Sequence, residues 1–308
     1  MSRTVLRPAL TVLTVLAAVA LTGSSGNAAA AADTASGPAA AVDVTAMAAG
    51  SAVPDSVAGW HVDPATGSVV VSVVGAGDTA SAEFVARARS VAGGSVRVET
   101  GVARPHTLWS LIGGQRISQG SARCSLGVNA ISSTGAPFVI TAGHCVSVAS
   151  GNWSGVGGLI GPVGGVSFPN NDYGTIRVSS TAAQPSWFVD RFGSLPDVIV
   201  IGHRPARLGE AVCRSGATSG WRCGTVTGLN QTVNYAGGIV YGLIRTNICA
   251  EPGDSGGPLV TAPDAGGRVY VLGILSGGSG NCSTGGTTFY QPIGEILAAY
   301  GLRLRTGS

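Results

Sequence analysis

The chain has 308 residues, of which 44% are hydrophobic and 11% charged, with 49 Gly, six Cys, 18 Arg and no Lys. Gly without a G-X-Y period excludes collagen, and so few charges exclude a chain held open by self-repulsion. A formal net charge of +3, with no basic cluster or interleaved aromatic stripe, gives no nucleic-acid footprint.

Arg3 and Arg7 precede the apolar run Ala9 to Leu21 and an Ala-rich stretch from Asn27 to Ala32 with A-x-A sites. This is the pattern of a secretory signal peptide over 1–32, too short for a membrane span, and it predicts a secreted, extracellular product with no membrane association after cleavage. In an oxidising exterior an even number of cysteines reads as disulfides. Cys124, Cys145, Cys213, Cys223, Cys249 and Cys282 contain no C-x-x-C pair, so no metal site is expected, and their fifteen possible connectivities stay open.

Residues 33–54 are Ala, Ser, Thr and Gly with hardly a large apolar side chain, and read as an unpacked linker. Strand-like runs at 59–62 and 68–74 then flank the turn-forming Asp63-Pro64-Ala65-Thr66-Gly67. Asp78 or Thr79 is placed to cap a helix whose Phe84, Val85, Ala88 and Val91 share one face, and residues 95–100 alternate again. This predicts a small α+β unit within residues 33–110.

From residue 111 onward short β-like runs at 138–140, 175–178, 198–201, 239–244 and 269–275 are separated by Gly, Ser and Asn turns, the texture of an all-β sandwich or barrel. Ile293, Ile296, Leu297 and Tyr300 predict a final helix.

Three segments in this half carry chemistry: Thr141-Ala142-Gly143-His144-Cys145, Asn170-Asn171-Asp172-Tyr173-Gly174, and Cys249 to Leu259 with Gly253-Asp254-Ser255-Gly256-Gly257. A serine hydroxyl needs a base to become a nucleophile, and imidazole needs a carboxylate to hold its tautomer. The oxyanion that forms needs backbone N–H donors, for which Gly253 and Ser255 are the natural candidates.

With Arg123-Cys124-Ser125-Leu126-Gly127, CRSGATSG at 213–220, Arg245-Thr246-Asn247 and SGGSGNC at 276–282, these strings resemble the secreted bacterial chymotrypsin-fold serine proteases of the streptogrisin and alpha-lytic protease group. The resemblance implies two six-stranded antiparallel β-barrels with a C-terminal helix over 111–308, preceded by a pro-region. It assigns His144 as general base, Asp172 as its orienting carboxylate, Ser255 as nucleophile, and Gly253 and Ser255 as the oxyanion hole. It pairs Cys124 with Cys145, Cys213 with Cys223, and Cys249 with Cys282, and sets Asp254 against an internal Arg214. It places the P1 pocket at Ala250, Glu251, Leu275, Ser276, Gly277 and Gly278. No Asp or His falls where a charged P1 residue would be bound, so bulky apolar or aromatic P1 residues are expected.

By the same resemblance the enzyme is a self-processing zymogen needing no cofactor, cut near Leu111 or Ile112. Its partners are protein or peptide substrates, proteinaceous inhibitors, and its own propeptide as folding aid and inhibitor; a monomer is expected.

Overall fold

A computed structural model describes residues 36–308 apart from 94, 149, 150 and 194; the expected signal peptide lies outside the described residues. Contacts divide the chain into two units, the first ending at Pro105 and the second starting at His106. The first unit contains α1 (Ser36–Ala49), β1 (Val57–Val62), β2 (Val69–Val74), α2 (Thr79–Val91) and β3 (Val96–Val102). β1 and β2 form the expected antiparallel hairpin, with Asp63 Oδ1 accepting from the Ala65 N–H in its turn. β2 and β3 are parallel, as a connection through a helix allows. Asp78 caps α2 reciprocally with Ser81.

Two expectations for this unit are corrected. The stretch read as a linker is helical from Ser36, and Ala40, Val44 and Ala48, four residues apart, are buried among Val69, Val71 and Phe84. Alanine is the best helix former, and a face built from it carries little hydropathy contrast, so the period was hidden. Phe84, Val85 and Ala88 are buried as expected, but Val91 is 40% exposed, and Ala92 takes the inward place at that end of the helix.

In the second unit β4 (Trp109–Gly113), β5 (Arg116–Gln119), β6 (Ala122–Ser125), β7 (Val128–Ser132) and β8 (Pro137–Thr141) lead into the short helix α3 (Gly143–Ser147). β9 (Asn152–Gly155), β10 (Gly158–Ser167) and β11 (Tyr173–Arg177) follow. After β12 (Ala183–Val189) and β13 (Val198–His203) come β14 (Ala211–Gly216), β15 (Gly220–Tyr235), β16 (Gly238–Thr246), β17 (Pro258–Thr261), β18 (Arg268–Asn281) and β19 (Gly285–Pro292). The helix α4 (Ile293–Tyr300) and β20 (Leu302–Leu304) end the fold.

The first sheet has the order β20-β7-β8-β11-β10-β9-β5-β6, antiparallel throughout. In the second, β17-β14-β15-β16-β19-β18 closes on itself because β17 also pairs with β18, giving a six-stranded ring. Outside that ring β13 joins β18, and β4 joins β12, in parallel. The expected junction near 111 therefore falls within a paired strand, whose Leu111 is buried.

Strand β8 shows how the core is divided. Successive side chains of a strand point to opposite faces. Val139 accordingly enters the cluster of Trp153, Ile160 and Ile176, while Ile140 joins Val200, Val271 and Ile274 from the other sheet. The second cluster locks the two sheets together, and α4 contributes Ile293, Ile296 and Leu297 to it before Gly301, at φ 60°, stops the helix. Residues at the ends of β8, β11, β6 and β18 thus meet along one seam.

Candidate active site

Gly143 starts α3 immediately after β8. A Cβ there would lie 2.4 Å from the Ser167 carbonyl oxygen and 2.8 Å from the Tyr173 nitrogen, so glycine allows α3 to press against the start of β11. The approach brings His144 to Asp172: Nδ1 stands 2.8 Å from Oδ2, and the His144 backbone N–H donates to Oδ1 at 2.8 Å. Asp172 is 1% exposed. Ser276 Oγ donates to its Oδ2 at 2.6 Å, and its own N–H donates to Gln291 Oε1 at 2.8 Å. Gln291 is fixed in turn by donating through Nε2 to Glu295 Oε2 at the start of α4. A carboxylate accepting at Nδ1 assigns the imidazole proton to that nitrogen and leaves Nε2 basic.

Ser255 comes from the other sheet. Its carbonyl accepts from the Ser125 N–H at 2.7 Å, Ser125 Oγ donates to the Gly253 carbonyl at 2.9 Å, and Gly256 N–H donates to the Leu275 carbonyl at 2.8 Å. The loop is therefore held between β6 and β18. Gly256, at φ 84°, packs so closely that a Cβ would lie 2.1 Å from Thr141 Oγ1. The N–H groups of Asp254, Gly256 and Gly257 are all bonded within the protein. Among the described residues those of Gly253 and Ser255 have no such partner. Ser255 Oγ makes no hydrogen bond to His144, whose Nε2 lies 3.7 Å from Cys145 Sγ. Such bonds are commonly long in a substrate-free site and tighten on binding.

The three expected disulfides are present: Cys124–Cys145, Cys213–Cys223 and Cys249–Cys282, across sequence separations of 21, 10 and 33. The first tethers the residue after His144 to β6, and the third ties the segment before Ser255 to the end of β18. Each contributes on the order of 2–4 kcal/mol through the unfolded state. Sulfur and nitrogen atoms of Cys124, Cys145 and His144 lie within 4.8 Å of one another, but the sulfurs are joined to each other and offer no thiolate.

Arg214 and Asp254 form the expected ion pair, Nη2 to Oδ2 at 3.2 Å, with both side chains fully buried. Such a pair persists only when its remaining donors and acceptors are satisfied. Asp254 also accepts from the N–H groups of Thr218, Ser219 and Glu251 and from the Ser219 hydroxyl. Arg214 donates to the carbonyls of Cys249 and Gly220 and to Ser219 Oγ.

A cavity of about 240 Å³ opens beside Ser255, and Ala250, Glu251, Leu275, Gly277 and Gly278 line it as expected, joined by Pro252 and Gly280. Ser276 does not line it. Leu275 faces Tyr290 and Gly277 faces Phe289 on β19, so Ser276 is an extra residue, a bulge that frees its side chain for Asp172. Pairing of β17 with β18 stops at Ile274, so among the described residues no strand pairs with that edge of residues 276–281. Glu251 Oε1 accepts from the Cys282 N–H at 2.8 Å.

Tyr235 was absent from the expected site. Its hydroxyl lies 3.2 Å from Ser276 Oγ, which places it next to the hydroxyl that donates to Asp172. Burial, with the nearby Asp172 charge, pushes its pKa up to about 12 against the lowering effect of the Ser276 bond. Burial, followed by neighbouring Tyr173, likewise raises Tyr300 to about 12. An unfolded tyrosine ionises near pH 10. Above that pH the unfolded chain loses protons that the folded one keeps, so stability is full below about pH 10 and falls as pH rises toward 12. Urea midpoints at pH 9 and pH 11 check this; an equal or higher midpoint at pH 11 contradicts it.

Ser125, Ser219 and Gln291 also escaped the sequence reading. Each is a common residue type in a common setting, and only its partner reveals its part. Among the described residues, no helix is long and apolar enough to cross a membrane.

The trypsin family model matches residues 111–299. Streptogrisin-A of Streptomyces griseus is 47% identical over 244 residues, covering 79% of this chain and 76% of the relative. Glutamyl endopeptidase 2 of the same organism is 41% identical over 195 residues, covering 62% of this chain and 98% of the relative. Among solved structures, Thermobifida fusca Protease A matches with a TM-score of 0.58 and 43% identity, and Cellulomonas bogoriensis chymotrypsin with 0.55 and 46%. These cover 65% of this chain and 100% of each solved chain. Two sheets of this topology, meeting at a histidine, a buried aspartate and a glycine-flanked serine, agree with those matches: the chain belongs to the trypsin family of chymotrypsin-fold serine proteases, as a relative of the streptogrisins.

Proposed function

We propose that the chain is a secreted serine endopeptidase, made as a self-processing zymogen, that prefers bulky apolar or aromatic P1 residues. The observation that carries this reading is the pair of N–H groups at Gly253 and Ser255, without partners in a loop where Asp254, Gly256 and Gly257 are all bonded. Two preorganised donors beside a serine suit an oxygen that becomes negative in the transition state.

In the reaction His144 Nε2 takes the Ser255 proton as Oγ bonds to the scissile carbonyl carbon. The carbonyl oxygen becomes negative and accepts from Gly253 and Ser255. Asp172 stabilises the imidazolium through Nδ1. Collapse breaks the C–N bond, and the proton held on Nε2 passes to the departing amine. Water, deprotonated by the same imidazole, then releases the acyl group. Residues 276–278 offer an unpaired strand edge for the residues preceding the scissile bond, which favours peptides over simple esters.

The P1 preference rests on the pocket. Its wall holds buried Leu275 and no Lys, Arg or His, and its single charge is the Glu251 carboxylate, which repels an acidic P1 side chain. Glutamyl endopeptidase 2 and the Cellulomonas chymotrypsin are named for different P1 preferences, and the apolar lining here supports the second kind. Peptide p-nitroanilides varied only at P1 are expected to give higher kcat/KM for Phe, Tyr, Leu and Met than for Arg or Glu, by about ten-fold or more, since each well-buried group contributes about 1–3 kcal/mol of discrimination. Preference for Arg or Glu overturns the assignment.

The leader over 1–32 supports export, and the α+β unit over 36–105 suits a propeptide that templates folding and blocks the cleft. A β-fold of long-range pairings closes costly loops before contacts reward them, so a template speeds its folding.

A further inference from the structure

A second cavity, of about 450 Å³, lies across the Pro252–Gly253 segment from the P1 pocket. Pro252 borders both, and Gly253 and Thr218 wall the second, but its distinguishing residues are Arg116 and Arg123. These sit on the paired strands β5 and β6, where Arg116 faces Ser125 and Arg123 faces Ser118. Both are exposed, and among the described residues neither side chain has an ion pair or hydrogen bond. Arg204 and Arg268, by contrast, each hold a carboxylate within 3 Å. The cavity therefore carries two guanidinium groups and no neutralising acid.

Its position fixes which part of a substrate reaches it. The strand edge at 276–278 and the P1 pocket take the residues up to the scissile bond, and the carbonyl oxygen points at Gly253. An extended chain continuing past Ser255 leaves β18 and runs toward β6, whose Ser125 is hydrogen-bonded to the Ser255 carbonyl. The next residues enter between Pro252–Gly253 and Arg123. The geometry points to Arg116 and Arg123 as specificity-determining residues that favour Asp or Glu at the second or third position after the scissile bond. Planar guanidinium groups match a carboxylate in shape and charge. This inference rests on the endopeptidase reading and adds to it a preference on the leaving-group side, opposite in character to the apolar P1 preference.

The test uses enzyme secreted from the full chain and internally quenched peptides identical except at one position, with Phe at P1 and Glu, Gln or Lys at the second or third residue after the bond. At low salt, kcat/KM is expected to be about three- to ten-fold higher for Glu than for Gln at one of these positions, the effect of one or two solvent-exposed ion pairs, and lower again for Lys. The Glu/Gln ratio is expected to fall toward one in about 1 M salt, where the screening length is roughly 3 Å. It should do the same in the Arg116→Gln/Arg123→Gln double variant, while Arg116→Lys/Arg123→Lys retains a preference. A ratio of one in the unmodified enzyme, or an undiminished ratio in the Gln double variant, overturns the inference while leaving the endopeptidase reading intact. Failure to cleave any peptide overturns that reading and this inference with it.

Discussion

Ser255→Ala is expected to lower kcat/KM on a Phe-P1 peptide by about 10⁵- to 10⁶-fold and to abolish labelling by a fluorophosphonate. The size follows from the way the machinery is divided. Without Oγ there is no acyl-enzyme, and the proton transfer through His144 has no donor, so the contributions of base and nucleophile vanish together. What survives is binding in the pocket and stabilisation by the Gly253 and Ser255 N–H groups, which the substitution leaves in place because Asp254, Gly256 and Ser125 still hold the loop. The same variant is expected to accumulate as a single unprocessed chain in a host without other secreted proteases, since self-processing needs the same hydroxyl. N-terminal sequencing of the secreted product checks both claims. Retained peptidase activity within ten-fold of the parent defeats the assignment of Ser255, while normal maturation of an inactive variant defeats self-processing alone.

Asp254→Asn is expected to destabilise the protease unit by about 3–5 kcal/mol, the cost of leaving a buried charge without its partner. The substitution keeps the shape but removes the charge facing Arg214, and both side chains are fully buried. It also turns an acceptor-only group into one bearing two N–H donors, in a shell made of the N–H groups of Thr218, Ser219 and Glu251, the Ser219 hydroxyl and the Arg214 guanidinium. One of those bonds, from the Glu251 N–H, closes the turn that contains Gly253, and Thr218, another of the donors, also gives its hydroxyl to the Pro252 carbonyl at 2.8 Å. Activity should fall along with stability, through a looser oxyanion site. Urea unfolding in a Ser255→Ala background, which prevents self-digestion, measures the stability term; a loss under 1 kcal/mol would mean that Arg214 finds another partner or water. The internal arginine also has a consequence for activation, because the Asp254 charge is neutralised from within the chain and does not wait for a freed α-amino group.

An all-β sandwich or barrel was foreseeable from short apolar runs cut by Gly, Ser and Asn, since each strand buries its own face and advertises it, while the choice of barrels came from the family resemblance. Helix α4 was foreseeable for the same reason, with Ile293, Ile296 and Leu297 one turn apart. Helix α1 was not, because Ala40, Val44 and Ala48 give a weak apolar stripe that becomes a buried face only when Val69, Val71 and Phe84 are present to receive it. Ser276 lay in a segment assigned to the substrate edge, yet its hydroxyl serves Asp172; the bulge that turns it inward is a matter of register between β18 and β19.

The sequence alone determined which groups can do acyl transfer and in what chain order they come, because nucleophile, base, carboxylate and flanking glycines are properties of residue type and of immediate neighbours. Tertiary structure decided who meets whom. It joined Asp172 to Gln291, Ser276 and, through Ser276, Tyr235; it put Ser125 against the Ser255 loop and Arg116 beside Arg123 at the edge of the cleft. Apart from the β5–β6 hairpin that carries Arg116 and Arg123, those contacts span segments far apart in the chain, where local spacing carries no information and only the closure of the sheets sets the distance. Composition could not separate these roles: Arg214 is sealed inside against Asp254, whereas Arg116 and Arg123, without an ion pair among the described residues, line a cavity beside Pro252 and Gly253, and the +3 total distinguishes none of them.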